Sequence, residues 1–108
     1  MRILFDQGTP VALREAFQQH SVRTAYEEGW QTLSNGELLR AAEQAGFDVL
    51  LTTDTSLPYQ QSLEGRRIAV VILNRNRWLL IQMRIEDIIA AVNSAESGSY
   101  SVVDISAR

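Results

Sequence analysis

Two uninterrupted apolar runs, Val49-Leu50-Leu51-Thr52-Thr53 and Ile68 to Leu73, constrain the fold more than any other feature of the chain. A strand with one wet face alternates apolar and polar side chains. A strand without alternation is covered on both faces, which is the condition of parallel sheets with helices above and below. Both runs are short and rich in β-branched residues, so they read as central strands and not as helices. Residues 2–6 read as a first strand that closes on Asp6, and Ser21 to Tyr26 alternates weakly as a second.

Helical signals fall between these strands. Thr9-Pro10 supplies an N-cap and a proline for the first turn of a helix running to about Gln19, with Val11, Leu13, Ala16 and Phe17 on one face. Ser34-x-x-Glu37 before Leu38-Leu39 is a capping-box signature, and Gly46 is the expected stop. Pro58 to Leu63 reads as a short helix or turn. From Trp78 to about Val92 the residues Leu79, Ile81, Ile85, Ile88, Ile89 and Val92 predict one amphipathic helix. Ser94 to Ser99 is a small polar linker, and Tyr100 to Ile105 is a last strand or an ordered tail. The alternating series demands right-handed crossovers. It predicts an α/β fold, a three-layer α/β/α sandwich around a mostly parallel sheet of four or five strands, and 108 residues allow one domain with one modest core.

Composition excludes several chemistries. The chain has no Cys, so disulfides, thiolate metal sites and cysteine nucleophiles are ruled out. A single histidine, His20, rules out multi-histidine metal sites. No apolar stretch approaches the ~18 residues of a membrane span. The opening Met-Arg-Ile-Leu-Phe-Asp leaves no room for an apolar signal core, which predicts a cytoplasmic protein. A net charge of −3 argues against a broad nucleic-acid clamp. All ten basic residues are Arg, however, and Arg66, Arg67, Arg75, Arg77 and Arg84 share one short stretch. Arg75 and Arg77 are therefore candidate phosphate contacts, against the plainer reading of a solvated turn.

Three carboxylates stand at chemically useful places. Asp6 closes the first strand, Asp54 closes the run from Val49, and Glu37 opens the helix between them. Open α/β sheets bind ligands beyond the carboxyl ends of their strands, at the point where strand order reverses. If the first and third strands are neighbours, Asp6 and Asp54 meet there. Converging oxygen ligands suit Mg²⁺ or Mn²⁺ and relieve the repulsion of crowded acids. Each acid also has a plainer role, as a helix-entry cap for Asp6 and Asp54 and as half of the capping box for Glu37.

Taken together, the opening Ile3-Leu4-Phe5-Asp6, the block from Gly29-Trp30 through Leu33-Ser34-Asn35-Gly36-Glu37-Leu38-Leu39, the run Phe47 to Asp54 followed by Leu57-Pro58-Tyr59-Gln60-Gln61, and Asn74-Arg75-Asn76-Arg77-Trp78 resemble a bacterial PIN-like domain, related to PIN-domain ribonucleases and toxins. The resemblance covers residues 1–93, leaving 94–108 as a linker with a C-terminal strand or tail. It implies a Mg²⁺- or Mn²⁺-dependent endoribonuclease with Asp6, Glu37 and Asp54 as catalytic and metal-binding acids, beside which Arg75 and Arg77 are the candidate RNA contacts already named. Many proteins of this kind are toxins paired with an antitoxin and others process or survey RNA, so an antitoxin protein and a second copy of the chain are the candidate protein partners. The chain departs from the pattern in two places. Gln7-Gly8 replaces the polar residue expected soon after the first acid, and Asn74 stands where a fourth acid is expected. The missing fourth acid puts full two-metal catalysis in doubt and supports an alternative, a catalytically degenerate PIN-like module that binds RNA or a protein. A phosphoacceptor receiver domain also places acids at strand ends, but it needs an active-site Lys, and this chain has none.

Overall fold

The computed structural model describes residues 1–106. Five strands, β1 (Arg2–Phe5), β2 (Ser21–Thr24), β3 (Val49–Thr52), β4 (Ala69–Leu73) and β5 (Tyr100–Val103), form one sheet in the order β2-β1-β3-β4-β5. Every pairing is parallel, with Leu4 opposite Leu50, Leu51 opposite Val71 and Val71 opposite Ser101. The sheet is thus wholly parallel and has five strands. Residues 100–103 belong to it as the edge strand β5, a strand and not a tail.

Burial on both faces explains the unbroken apolar runs. Successive side chains point to opposite faces. Ile3, Phe5, Val49, Leu51, Val71 and Leu73 pack on one side with Leu13, Phe17, Ile81, Ile88 and Val92. Leu4, Leu50, Val70 and Ile72 pack on the other with Leu38, Leu39, Ala42 and Leu57. The second face is covered by α1 (Asn35–Gln44) and α2 (Leu57–Gln60), and the first by a 3₁₀ helix (Val11–Phe17), α3 (Trp78–Gln82) and α4 (Ile85–Asn93). The result is a three-layer α/β/α sandwich.

Helix α1 starts and stops as the sequence predicts. The Ser34 hydroxyl accepts the Glu37 N–H at 3.4 Å, and Glu37 Oε1 accepts the Ser34 N–H at 3.0 Å, closing the capping box. At the other end the Gly46 N–H bonds to Glu43 O at 3.1 Å and the Phe47 N–H to Ala42 O at 3.0 Å, a Schellman closure. It requires the left-handed conformation that Gly46 adopts, with φ 83°.

Two elements differ from their sequence reading. The first crossover winds as a 3₁₀ helix. At about 2 Å per residue its seven residues rise about 14 Å, matching a four-residue strand, where an α-helix of equal length would fall short. The predicted single helix from Trp78 is divided. The Met83 and Arg84 N–H groups bond three residues back, to Leu80 O at 3.1 Å and Ile81 O at 2.9 Å. Arg84 then leaves helical geometry while its guanidinium donates to Ser106 O at 3.0 Å. The apolar face continues through the break, so periodicity alone carries no sign of it.

Gly46→Ala is expected to lower stability by about 1 kcal/mol, since a Cβ strains the left-handed conformation. Urea denaturation checks this. An unchanged midpoint would show that the helix stop does not depend on that conformation.

Candidate functional site

Strand order reverses between β1 and β3, the switch point at which sheets of this order open a crevice. Leu4 and Leu50 face α1, and two residues further on each strand come Asp6 and Thr52, turned to the same side by the two-residue period. Asp6 is fixed by its own backbone, whose N–H bonds to Leu51 O at 3.1 Å. Its Oδ2 accepts the hydroxyl of buried Thr52. Its Oδ1 lies 2.7 Å from the hydroxyl of buried Thr9, which also lies 2.9 Å from Leu51 O. One hydroxyl carries one proton, so Thr9 cannot give both acceptors a full hydrogen bond at once.

Thr52 joins the two aspartates. While donating to Asp6 it accepts the Asp54 N–H at 3.0 Å. The Asp54 carboxylate is held independently: Oδ1 accepts the Ser56 N–H at 2.9 Å and hydroxyl at 2.5 Å, and Oδ2 accepts Asn35 Nδ2 at 2.8 Å. The other Asn35 amide hydrogen goes to Gln60 Oε1 at 2.9 Å. Asn35 is the first residue of α1, so α1 reaches the sheet edge through its amide. Gly8 completes the turn after β1. A Cβ there would run into Thr53 Oγ1, so any larger residue would force that hydroxyl to turn away from the end of β3.

The electrostatics of the pair are unequal. Burial pushes the Asp6 carboxyl above its ordinary value, the nearby charge of Asp54 adds to this, and the threonine hydroxyls oppose it. Asp54 is pulled below its ordinary value by hydrogen bonds from Ser56 and Asn35. Neighbouring acids driven in opposite directions mark a site candidate on physical grounds.

Of the sequence candidates, Asp6 and Asp54 are brought together. Glu37 is exposed and engaged in the capping box, and the Ser34 N–H holds its carboxyl below the usual range. Among the described residues no group of three or more His, Cys, Asp or Glu side chains is arranged to hold a metal ion. Arg75 and Arg77 are exposed on the turn between β4 and α3, at the carboxyl end of the sheet. Asn74 donates to Asp104 Oδ1 at 3.2 Å and accepts the Ile105 N–H at 2.7 Å. Asp104 is therefore another acid at this edge, one residue past β5 just as Asp6 is one residue past β1. Its place was visible in the sequence only if residues 100–103 were committed to the sheet. Asn35, Thr9 and Ser56 carried no sequence signal beyond helix-cap and turn chemistry.

Beside Asp6 lies a cavity of about 160 Å³, lined also by Gln7, Trp30, Gln31, Leu33 and Asn35. Two larger depressions, of about 510 Å³ each, lie against the first crossover with α4 and around the α3–α4 break, away from both aspartates. The switch point is favoured over them because two acids follow adjacent strands there, each with its carboxylate held by hydrogen bonds. Comparison of the chain with protein-family models, with curated proteins and with solved structures finds no match.

Asp6→Asn is expected to raise the melting temperature at neutral pH, because it removes a carboxylate whose ionised form is disfavoured by burial. The sign follows from linkage: a raised folded pKa means that stability falls as pH rises from the ordinary 3.8 through the folded value. The gain over wild type should shrink as the pH is lowered to about 4. Thermal melts of both proteins across that range check it. A variant less stable than wild type at neutral pH would show that the threonine hydrogen bonds outweigh burial.

Proposed function

We propose that the chain is a metal-dependent nuclease that hydrolyses RNA phosphodiester bonds at the edge formed by Asp6 and Asp54. The observation that carries this reading is geometric. Two carboxylates end adjacent parallel strands at the switch point, and one threonine hydroxyl bonds to the side chain of one and the backbone of the other. The donors are all oxygens, and Asp6 Oδ2 and Asp54 Oδ2 each accept one protein hydrogen bond where two are possible. Such a set fits Mg²⁺ or Mn²⁺, which bind through one or two carboxylates and retain water. A divalent cation there would also offset the repulsion between the acids.

Asp6 and Asp54 would hold the ion. When bound, it supplies positive charge at the phosphate and a more acidic water. The protein supplies orientation: Thr9 and Thr52 fix Asp6, while Ser56 and Asn35 fix Asp54, so neither carboxylate must reorganise when substrate arrives. Arg75 and Arg77 lie on the same edge and would take flanking phosphates. A partnership with an antitoxin belongs to this reading as a proposal. The second reading is a module that binds RNA or a protein without cleavage. It draws on the engagement of Glu37 in the capping box and on Asn74 in place of an acid.

Saturating Mn²⁺ is expected to raise the melting temperature in wild type and not in Asp54→Asn. Single-stranded RNA should be cleaved in a metal-dependent way, with Asp6→Ala and Asp54→Ala each reducing the rate about 100-fold or more. Arg75→Ala and Arg77→Ala should weaken RNA binding, each lowering the salt slope by about one. Glu37→Gln keeps a capping-box partner, so melting should move little. A matching small effect on cleavage would confine Glu37 to helix capping. Cleavage that survives both aspartate variants would rule out this site. No cleavage in any metal, together with a stable complex recovered from the source cells, would favour the binding module.

A further inference from the structure

Gln7 and Gln31 flank the cavity beside Asp6, and neither amide bonds to another described residue. Trp30 and Leu33 form apolar wall, and Trp30 is braced by Phe47 in a T-shaped contact at 6.1 Å and 78°. At about 160 Å³ the space exceeds several waters, each of ~30 Å³, yet falls short of the ~300 Å³ at which pockets enclose a whole drug-sized ligand. It has room for one flat heterocycle. Its walls pair an aromatic side chain with primary amides, each of which both donates and accepts hydrogen bonds. Those are the groups that stack on an unpaired base and read its edge.

We propose that this cavity is a nucleobase pocket, taking one unstacked base of the RNA strand whose phosphate lies at Asp6 and Asp54. The inference rests on the RNA-cleaving reading for its strand, but not for its binding chemistry. A base enters only where it is free of a duplex, so the substrate class is single-stranded RNA or a loop. Gln7 takes a specific role here, at the position just after Asp6 where the chain departs from the family pattern. Base choice is set by the edge that Gln7 and Gln31 present, and cleavage falls next to the bound nucleoside because Asp6 lines the same cavity.

The test uses proton–nitrogen correlation spectra of the full chain titrated with each of the four ribonucleosides and with ribose. The chain has two tryptophans, Trp30 and Trp78, so the two indole signals are assigned with Trp78→Phe. At least one nucleoside should shift the Trp30 indole and glutamine amide signals saturably, while ribose shifts neither. Gln31→Ala should weaken that binding about fivefold or more. Trp30→Leu should weaken it about tenfold, with Trp30→Phe restoring part of the loss. The same spectra report folding, and exposed Gln31 carries the test should Trp30→Leu unfold. No saturable shift with any nucleoside up to its solubility overturns the proposal, as does unchanged affinity in Gln31→Ala. Nucleosides carry no phosphate, so their binding requires neither metal nor cleavage. Shifts without RNA cleavage keep the pocket and remove the nuclease; cleavage without shifts keeps the nuclease and removes the pocket.

Discussion

The parallel pairing of β1 with β3 is the contact on which the rest of the molecule depends. It places Ile3, Leu4 and Phe5 against Val49, Leu50 and Leu51 in the middle of the sheet, with helices on both faces. The same pairing sends the chain outward to β2 and back again, which creates the switch point. Leu51 shows the coupling at one residue. Its side chain lies in the core, while its carbonyl accepts the Asp6 N–H and lies within bonding distance of the Thr9 hydroxyl. Core registry and site geometry are thus set together.

At the carboxyl end of this apolar ladder the chemistry changes over a few residues. A carboxylate half-buried above a hydrocarbon core is costly unless its oxygens are bonded. Thr9 and Thr52 meet that need for Asp6, and Ser56 and Asn35 meet it for Asp54. Even so, Asp6 remains harder to ionise than a free carboxyl. A burial cost of this kind departs from the otherwise consistent local signals of the chain and marks the edge as a place to look for function.

A doubly wound parallel sheet hosts many unrelated activities, so strand order identifies a place for chemistry without identifying the chemistry. The functional reading therefore rests on residues. Oxygen donors without Cys, with a single His and no Lys, favour a hard cation and disfavour a phosphoacceptor site. In the proposed reading the surrounding groups divide the labour: acids toward a phosphodiester, arginines on the flanking turn, and an aromatic-amide cavity beside Asp6.

The sequence by itself determined the two-sided burial of β3 and β4, the capped and Gly-terminated α1, and the strand-end positions of Asp6 and Asp54. These are local matters: a run of apolar β-formers, a Ser-x-x-Glu spacing and a glycine each act within a few residues. Only the tertiary structure decided what those acids touch. The link through Thr52 exists because β1 and β3 are neighbours, and Asn35 reaches Asp54 across 19 residues of sequence because α1 begins above that edge. The capping box was legible, yet only the folded helix end shows the Glu37 carboxylate engaged there while Asn35 supplies the long-range contact. The 3₁₀ winding of the first crossover and the break at Arg84 were hidden for a related reason. Hydrophobic period records which face is buried, whereas winding and direction are set by the distance each connection must span between its strands.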